Sequence, residues 1–209
     1  MTNQKLEEIF NRTFGGLTLF YRDTNLKEEL ISKYEPGKII MERGFTDMSY
    51  KGGGMTTNLR YLIASAHAKD ISALNPDAAV SGHVILHSNA YFKVLDNYSI
   101  GNKTQILLLE IPQDAISVFS GSTINIEDDI VKKGRSSFDT RIDTQPVKEL
   151  QTEEWIKRTE FPLGMDDNGE LFYKGDSAQK REVTNVTVKP ETPKAENIET
   201  PSKPWWKLW

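Results

Sequence analysis

Apolar residues recur in regular, closely spaced groups over the first 112 residues and become sparser after them. Leu6, Ile9 and Phe10 share one helical face, which predicts a first helix over residues 3–11. A second helix is predicted over residues 26–34, where a variant of the capping box opens the segment. The early part of the chain therefore combines two helices with the strands described next.

Short apolar runs bounded by turn residues predict six strands. They are LTLFY (17–21), KIIMERGF (38–45), LRYLIASA (59–66), HVILH (83–87), AYFKVLDNY (90–98) and TQILLLEI (104–111). Several strands combined with two early helices favour an α+β fold over a doubly wound parallel sheet. The three glycines at 52–54 predict a mobile loop.

The pattern weakens beyond Pro112. INIEDDI (124–130) predicts a short strand followed by a solvated turn, because three acidic residues, Glu127 to Asp129, follow its apolar start. MDDNGELFYKG (165–175) predicts a hairpin with Asn168-Gly169 as its turn pair. Residues 113–183 are thus expected to form a strand-poor extension or a separate arm.

The C-terminal part differs in composition from the rest of the chain. Four of the nine prolines lie after residue 184 among Lys, Glu, Thr and Asn, which predicts an extended tether over residues 184–204. The chain ends in the aromatic docking tail 205–209, whose expected partner-binding residues are Trp205, Trp206, Leu208 and Trp209. Tryptophans are costly to leave exposed and are preferred interface anchors, so the tail is expected to dock on a partner or on its own domain.

Composition excludes several classes of function. The absence of cysteine excludes disulfides, thiol catalysis, iron–sulfur clusters and cysteine zinc sites. A net charge of −4 disfavours non-specific nucleic-acid binding, and the small basic cluster of Lys132, Lys133 and Arg135 is typical of a solvated face. No apolar run approaches the ~20 residues of a membrane helix, and the N-terminus lacks a signal-peptide core. A cytoplasmic or virion location without membrane association is therefore expected.

The strands over residues 83–111 resemble the closing strands of the ADP-ribosyltransferase fold, in the branch related to bacterial toxins. LFYRD (19–23) resembles the aromatic-Arg strand of that family, with Arg22 at the motif arginine. PGKIIMERGFTDMS (36–49) resembles the segment that leads into the family's Ser-Thr-Ser strand, and RYLIASAHAKDI (60–71) the one before its Glu-x-Glu motif. The resemblance implies an ADP-ribosyltransferase-like split β-sandwich over residues 1–112, with N-terminal helices and an irregular C-terminal arm.

The same resemblance implies NAD as cofactor and ADP-ribose transfer as activity. Arg22 would hold an NAD phosphate and Ser49 would brace the nicotinamide pocket. The second Glu would stabilise the positive charge that develops as nicotinamide leaves. The Glu-x-Glu positions fall on Ser81, Gly82 and His83, so neither carboxylate is present. A histidine is neutral or cationic near neutral pH, and both states are unsuited to that task.

Two hypotheses of different class follow. The first is a non-catalytic structural subunit of a larger assembly, a phage virion connector or cargo component. It needs no cofactor, and its tail binds protein subunits in a homo-oligomer or on a neighbour. The second is an atypical NAD-dependent mono-ADP-ribosyltransferase acting on host proteins, with His83 or Glu110 in place of the missing acid. The simpler interpretations are a strand histidine on a polar face for His83 and a solvated strand-end charge for Glu110.

The three histidines, His67, His83 and His87, are too few to favour a histidine-rich site. His83 and His87 share a strand face but lie ~13 Å apart at ~3.3 Å per residue, so one metal ion does not bind both. No metal site is predicted.

Overall fold

The computed structural model describes residues 2–120 and 125–172 of the chain. Helix α1 spans Asn3–Phe14, and the Thr2 hydroxyl caps it by accepting the Lys5 amide. Ile9 and Phe14 are buried against the sheet core, as an amphipathic helix requires. The helix is longer than predicted because its apolar face continues to Phe14.

Eight strands form one sheet. They are β1 Thr18–Thr24, β2 Ile39–Glu42, β3 Thr46–Ser49, β4 Leu59–Ser65, β5 Lys69–Asp70, β6 His83–Leu86, β7 Ala90–Ile100 and β8 Lys103–Ile111. Their order is β2-β7-β8-β4-β1-β3-β6-β5, and only the β4–β8 pair is parallel. Val84 of β6 and Leu108 of β8 lie in one core cluster although several strands separate them, so the sheet folds back over itself. The α+β class predicted from the sequence is confirmed.

Helices surround this sheet. After α1 they are α2 Glu28–Ile31, α3 Ala78–Ser81, α4 Ile116–Phe119, α5 Asn125–Arg141 and α6 Glu153–Thr159, with 3-10 turns at 113–115 and 148–150. Helix α5 packs on β7 and β8, and α6 packs on β1 and β3. The described residues after 112 therefore form an extension packed on the sheet. Among the described helices, none is long and apolar enough to cross a membrane.

Helix α5 corrects the strand and turn predicted over INIEDDI. Ile126 and Ile130 are four residues apart and pack on one helical face toward the sheet. Glu127 is buried at 3% exposure, and its carboxylate lies 2.8 Å from the Lys93 ammonium of β7. The acidic run is thus not a solvated turn, because its first member joins a buried ion pair that links α5 to the sheet.

The glycine loop at 52–54 is packed, which corrects the mobile loop predicted there. A Cβ on Gly54 would lie 1.8 Å from the Thr144 carbonyl oxygen, so only glycine allows this approach. The Gly53 carbonyl accepts a hydrogen bond from Arg60 at 2.9 Å. The hairpin predicted around Asn168-Gly169 is present, with Met165 bridged to Leu171 and Gly169 at a φ of 72°.

Candidate functional site

Three of the predicted site residues lie on three neighbouring strands. Arg22 is on β1, Ser49 on β3 and His83 on β6. Ser49 is the register partner of His83 on β6 and, on β1, of Tyr21, the residue before Arg22. We call Arg22, Asp47, Ser49 and His83 the motif cluster. Glu110 is on β8 and shares no hydrogen-bond or ion-pair partner with them in the described part of the chain.

Arg22 is a buried structural residue. Its side chain donates to the backbone carbonyls of Asp47 at 3.1 Å and Phe161 at 2.9 Å, and the residue is 5% exposed. Burial lowers the pKa of its guanidinium, an effect that the nearby Tyr61 and Asp47 oppose. Both terminal nitrogens therefore bind the chain itself, which differs from the phosphate contact implied by the resemblance.

His83 and Asp47 form a partly buried pair, with His83 the more buried of the two. The His83 Nε2–H donates to Asp47 Oδ1 at 2.7 Å, and Arg158 lies 3.5 Å from the same oxygen. Burial alone would raise the pKa of Asp47, but the His83 hydrogen bond and the Arg158 and Arg22 charges lower it below its ordinary value. His83 is 5% exposed, so it is not on a polar face as predicted.

Ser49 is also fixed by contacts within the fold. Its hydroxyl donates to the Ser81 carbonyl at 2.6 Å and accepts the Lys51 amide at 2.9 Å. The side chain thus ties β3 to the turn that precedes β6. This position suits a brace between strands, whichever function the strands have.

Helix α6 and the residues after it lie over the motif cluster. The Trp155 ring meets the His83 ring edge-on at 5.2 Å between centroids, and Trp155 is 6% exposed. The Thr24 hydroxyl donates to the Glu160 carbonyl at 3.1 Å, and the Tyr34 hydroxyl donates to the Leu163 carbonyl at 2.6 Å. We call residues 152–163 the capping segment, because it covers the strands that carry the motif residues.

The apolar pattern of EEWIKR (153–158) is too short to predict a helix, but the residues around α6 carry other helix signals. Thr152 accepts the Trp155 amide as N-cap. Glu153 and Glu154 occupy the first turn, and Lys157 and Arg158 the last. Acidic residues at the start and basic residues at the end match the helix dipole. The cap and charge pattern identify the helix, but not the surface that it covers.

NAD does not fit the motif cluster in this arrangement. The terminal nitrogens of Arg22 are occupied by backbone carbonyls, and the Glu-x-Glu positions offer a serine and a histidine. The one carboxylate in the cluster, Asp47, is already paired with His83 and Arg158. No step of ADP-ribose transfer is therefore derived from these residues.

Glu110 lies in a different cluster, at the end of β8. The residue is 4% exposed, so the solvated strand-end charge predicted for it is wrong. The Ser65 hydroxyl donates to its Oε2, and His67 Nδ1 lies 3.1 Å from its Oε1. His87 Nε2 is 3.8 Å from the same oxygen. We call Ser65, His67, His87 and Glu110 the Glu110 cluster.

The Glu110 cluster opens into a cavity of about 820 Å³, whose wall includes both histidines, Arg12, Lys69 and Asp114. Two histidines that are distant in sequence meet there, because His67 follows β4, which pairs with β8, and His87 lies in the three-residue connection 87–89 between β6 and β7. Phe92 of β7 is the register partner of Glu110, which brings His87 to this end of β8. In the described residues, no group of histidine and acidic side chains has the arrangement of a metal site.

No family model and no curated protein matches the chain. Among solved structures it is similar to the ADP-ribosyltransferase HopU1 of Pseudomonas syringae pv. Tomato DC3000, at 16% identity over 46% of this chain and 45% of that one, with a TM-score of 0.41. It is similar to the Vis toxin, an ADP-ribosyltransferase from Vibrio splendidus, at 19% identity over 47% and 50%, with a TM-score of 0.38.

A third similar structure is exoenzyme S from Pseudomonas aeruginosa, bound to carba-NAD and to human 14-3-3 protein beta. The identity is 16% over 61% of this chain and 64% of that one, with a TM-score of 0.40. The solved structures to which this chain is similar thus include ADP-ribosyltransferases, the family that its sequence resembles. It spans about half of the length of HopU1 and of Vis.

Proposed function

We propose that this chain is a non-catalytic interaction subunit of a larger assembly, built on an ADP-ribosyltransferase-like domain that its own capping segment closes. The observation that carries the proposal is the position of that segment on the motif cluster. Trp155 packs on His83, and the Phe161 carbonyl accepts from Arg22. Arg22 and His83, two of the positions that the resemblance assigns to NAD chemistry, thereby serve internal packing.

The electrostatics of the cluster support the same proposal. Transfer of ADP-ribose needs a preorganised negative charge where positive charge develops in the transition state. Near His83 the negative charge is that of Asp47, and both His83 and Arg158 bind it. A carboxylate compensated in this way offers little field to a reacting ribose.

The proposal predicts that NAD does not stabilise the protein. A ligand at ~100 times its Kd adds ~2.7 kcal/mol to the folded state, so a binding site is easily seen as a rise in Tm. We expect no rise at millimolar NAD and pH 8 in thermal unfolding of the full chain. At that pH imidazoles are mostly neutral, so any contribution of the Glu110 cavity is expected to be smaller than at pH 6.

A rise in Tm with NAD that disappears in Arg22→Lys would contradict the proposal and favour the alternative, an atypical NAD-dependent mono-ADP-ribosyltransferase acting on host proteins. One observation favours that alternative: Arg22 and Arg158 line a cavity of about 550 Å³ beside the exposed rings of Phe45 and Phe161. Transfer of label from labelled NAD to a protein acceptor would then be the next measurement. A rise that survives Arg22→Lys and disappears in Lys69→Ala would place NAD elsewhere, in the Glu110 cavity.

The partner-binding role is proposed for the aromatic tail, which lies outside the described residues. Four residues of the tail would anchor the chain on protein subunits of the assembly: Trp205, Trp206, Leu208 and Trp209. Within that assembly, we propose that the chain is a virion connector or a cargo component. Deleting residues 205–209 should shift the protein to smaller species on a sizing column, whereas Lys207→Ala should not. An oligomer profile that the deletion leaves unchanged would reject this role for the tail.

A further inference from the structure

The Glu110 cluster has a chemistry of its own that the proposed function does not use. Its carboxylate is buried, while the two imidazoles that meet it lie at the cavity, with His67 40% and His87 62% exposed as side chains. Ser65 fixes the carboxylate further, because its hydroxyl also accepts the His67 amide at 3.0 Å and the Ala68 amide at 3.2 Å. The negative group is thus held inside the fold, and the imidazoles stand between it and the cavity.

The hydrogen bonds of His67 define its tautomer. An ionised carboxylate only accepts, so the Nδ1 that faces Glu110 carries a proton. Nε2 lies on the opposite edge of the ring, and no other described residue hydrogen-bonds to it. When the ring is protonated, Nε2–H is a donor for a ligand in the cavity.

The two ring nitrogens of His87 each face an acceptor oxygen. Its Nδ1 lies 2.8 Å from the Ser88 carbonyl, which only accepts, so Nδ1 carries a proton. Its Nε2 is 3.8 Å from Glu110 Oε1. A neutral ring would turn a lone pair toward the carboxylate, whereas the protonated ring turns a positive N–H edge toward it.

The charged groups around the cavity favour an anion. Arg12 and Asp114 neutralise each other through two hydrogen bonds at 2.8 and 3.0 Å. Tyr91 also lies on the wall. The other groups there that can carry positive charge are Lys69 and, when protonated, the imidazoles of His67 and His87, against the one carboxylate of Glu110.

We propose that this cavity binds the phosphate group of a small phosphorylated ligand, with His67, Lys69 and His87 as its cationic donors. A phosphate group is negatively charged at both pH 6 and pH 8 and accepts hydrogen bonds from several directions at once. The cavity volume of about 820 Å³ leaves room for a ligand larger than the phosphate itself. Glu110 is a positioning residue here, because it holds the imidazoles through their inner edges.

The test is isothermal titration calorimetry of the full chain with inorganic phosphate and with adenosine monophosphate. Each titration is made at pH 6 and at pH 8, with the ionic strength kept equal by sodium chloride. We expect phosphate to bind at pH 6 and to bind at least tenfold more weakly at pH 8, because imidazoles lose their protons in this range. Tighter binding of the nucleotide than of phosphate would identify a nucleotide as the ligand, and equal binding would identify phosphate alone. Absence of binding at pH 6, or equal affinity at both pH values, would overturn the proposal.

Three variants distinguish specific binding in the cavity from non-specific attraction of an anion to the protein. Lys69→Ala should weaken binding several-fold, and the control Lys132→Ala, which removes a lysine 78% exposed on α5, should not. Glu110→Gln removes a negative charge beside an anion, so general electrostatics predicts tighter binding. We expect weaker binding, because the imidazoles lose the partner that holds them.

Equal or tighter binding by Glu110→Gln would overturn the positioning role. If that variant does not fold, as judged by circular dichroism, His67→Asn answers the same question with Glu110 retained. Weaker binding by His67→Asn at pH 6 supports the site, and unchanged binding rejects it. The result is independent of the NAD measurement, since that is made at pH 8 and depends on Arg22.

Discussion

In the described part of the chain, histidines meet two carboxylates, Asp47 and Glu110, in opposite situations. His83 meets Asp47 at 2.7 Å, and Trp155 covers the pair. His67 meets Glu110 at 3.1 Å, and its ring lines an open cavity. The chemistry of the two pairs is similar, but only the second pair is within reach of a ligand.

The difference shows that accessibility, rather than the identity of the paired groups, separates a structural pair from a candidate site. In the motif cluster the packing partner comes from residues more than 70 positions after His83 in the chain. In the Glu110 cluster no described element lies over the imidazoles in the same way. A resemblance in the motif strands therefore does not show which pair can bind a ligand.

The largest expected effect is that of truncating Trp155, the side chain that packs on His83 in the motif cluster. Trp155→Ala should lower the free energy of unfolding by ~3–5 kcal/mol, the range for truncating a buried tryptophan. Urea unfolding measures this loss. Ile156→Ala is the matched control, since Ile156 is the next residue of α6 and is 50% exposed, and it should change stability by less than ~0.5 kcal/mol. Equal effects of the two variants would show that Trp155 does not hold the capping segment in place.

The pH dependence of stability tests the Asp47 pair. Because the pKa of Asp47 is lowered in the folded state, its contribution is complete above the unfolded value near ~3.9 and is lost as pH falls through the folded pKa. Asp47→Asn should destabilise the protein by ~1.5–3 kcal/mol at pH 7, the range for a hydrogen bond to a charged group. Below pH ~4 the difference between the two proteins should shrink.

Urea unfolding of both proteins at pH 7, 5 and 3 makes the measurement. A repeat in 0.5 M sodium chloride is the control, because a partly buried pair is screened less than surface charges. A difference between wild type and Asp47→Asn that stays constant from pH 7 to pH 3 would show that the ionised carboxylate is not what stabilises the pair.

The sequence predicted the fold better than it predicted the sites. Short apolar runs and turn residues predicted strands that the structure contains, because period and turn chemistry are local properties. The helix over 125–141 was missed because Ile126 and Ile130 also fit a short strand when the acidic residues between them are taken as solvated. Burial of Glu127 depends on Lys93, which is distant in sequence, so no local pattern could indicate it.

Contacts between residues distant in sequence also determine the candidate sites, so local patterns did not predict their surroundings. The motif order placed Arg22, Ser49 and His83 on neighbouring strands, but the capping segment over them is a tertiary contact. Glu110 ended an apolar strand, and a strand end is solvated unless another element covers it. His67 follows β4 and His87 lies in the connection between β6 and β7, and both meet Glu110, a proximity that their spacing of twenty positions does not express.

The smallest expected effect on stability is that of a substitution at the Glu110 cavity. Lys69→Ala should change the free energy of unfolding by less than ~0.5 kcal/mol, because Lys69 is exposed on the short edge strand β5. The same variant should weaken phosphate binding several-fold, so it separates binding from stability in one protein. Urea unfolding at pH 6 without phosphate and then with it makes the measurement. Added phosphate should stabilise the wild type more than Lys69→Ala, since the stabilisation falls as the affinity of the folded state for the ligand falls. A large loss of stability without phosphate would mean that Lys69 is part of the packing. It would contradict the view that the Glu110 cluster, unlike the motif cluster, is accessible to a ligand.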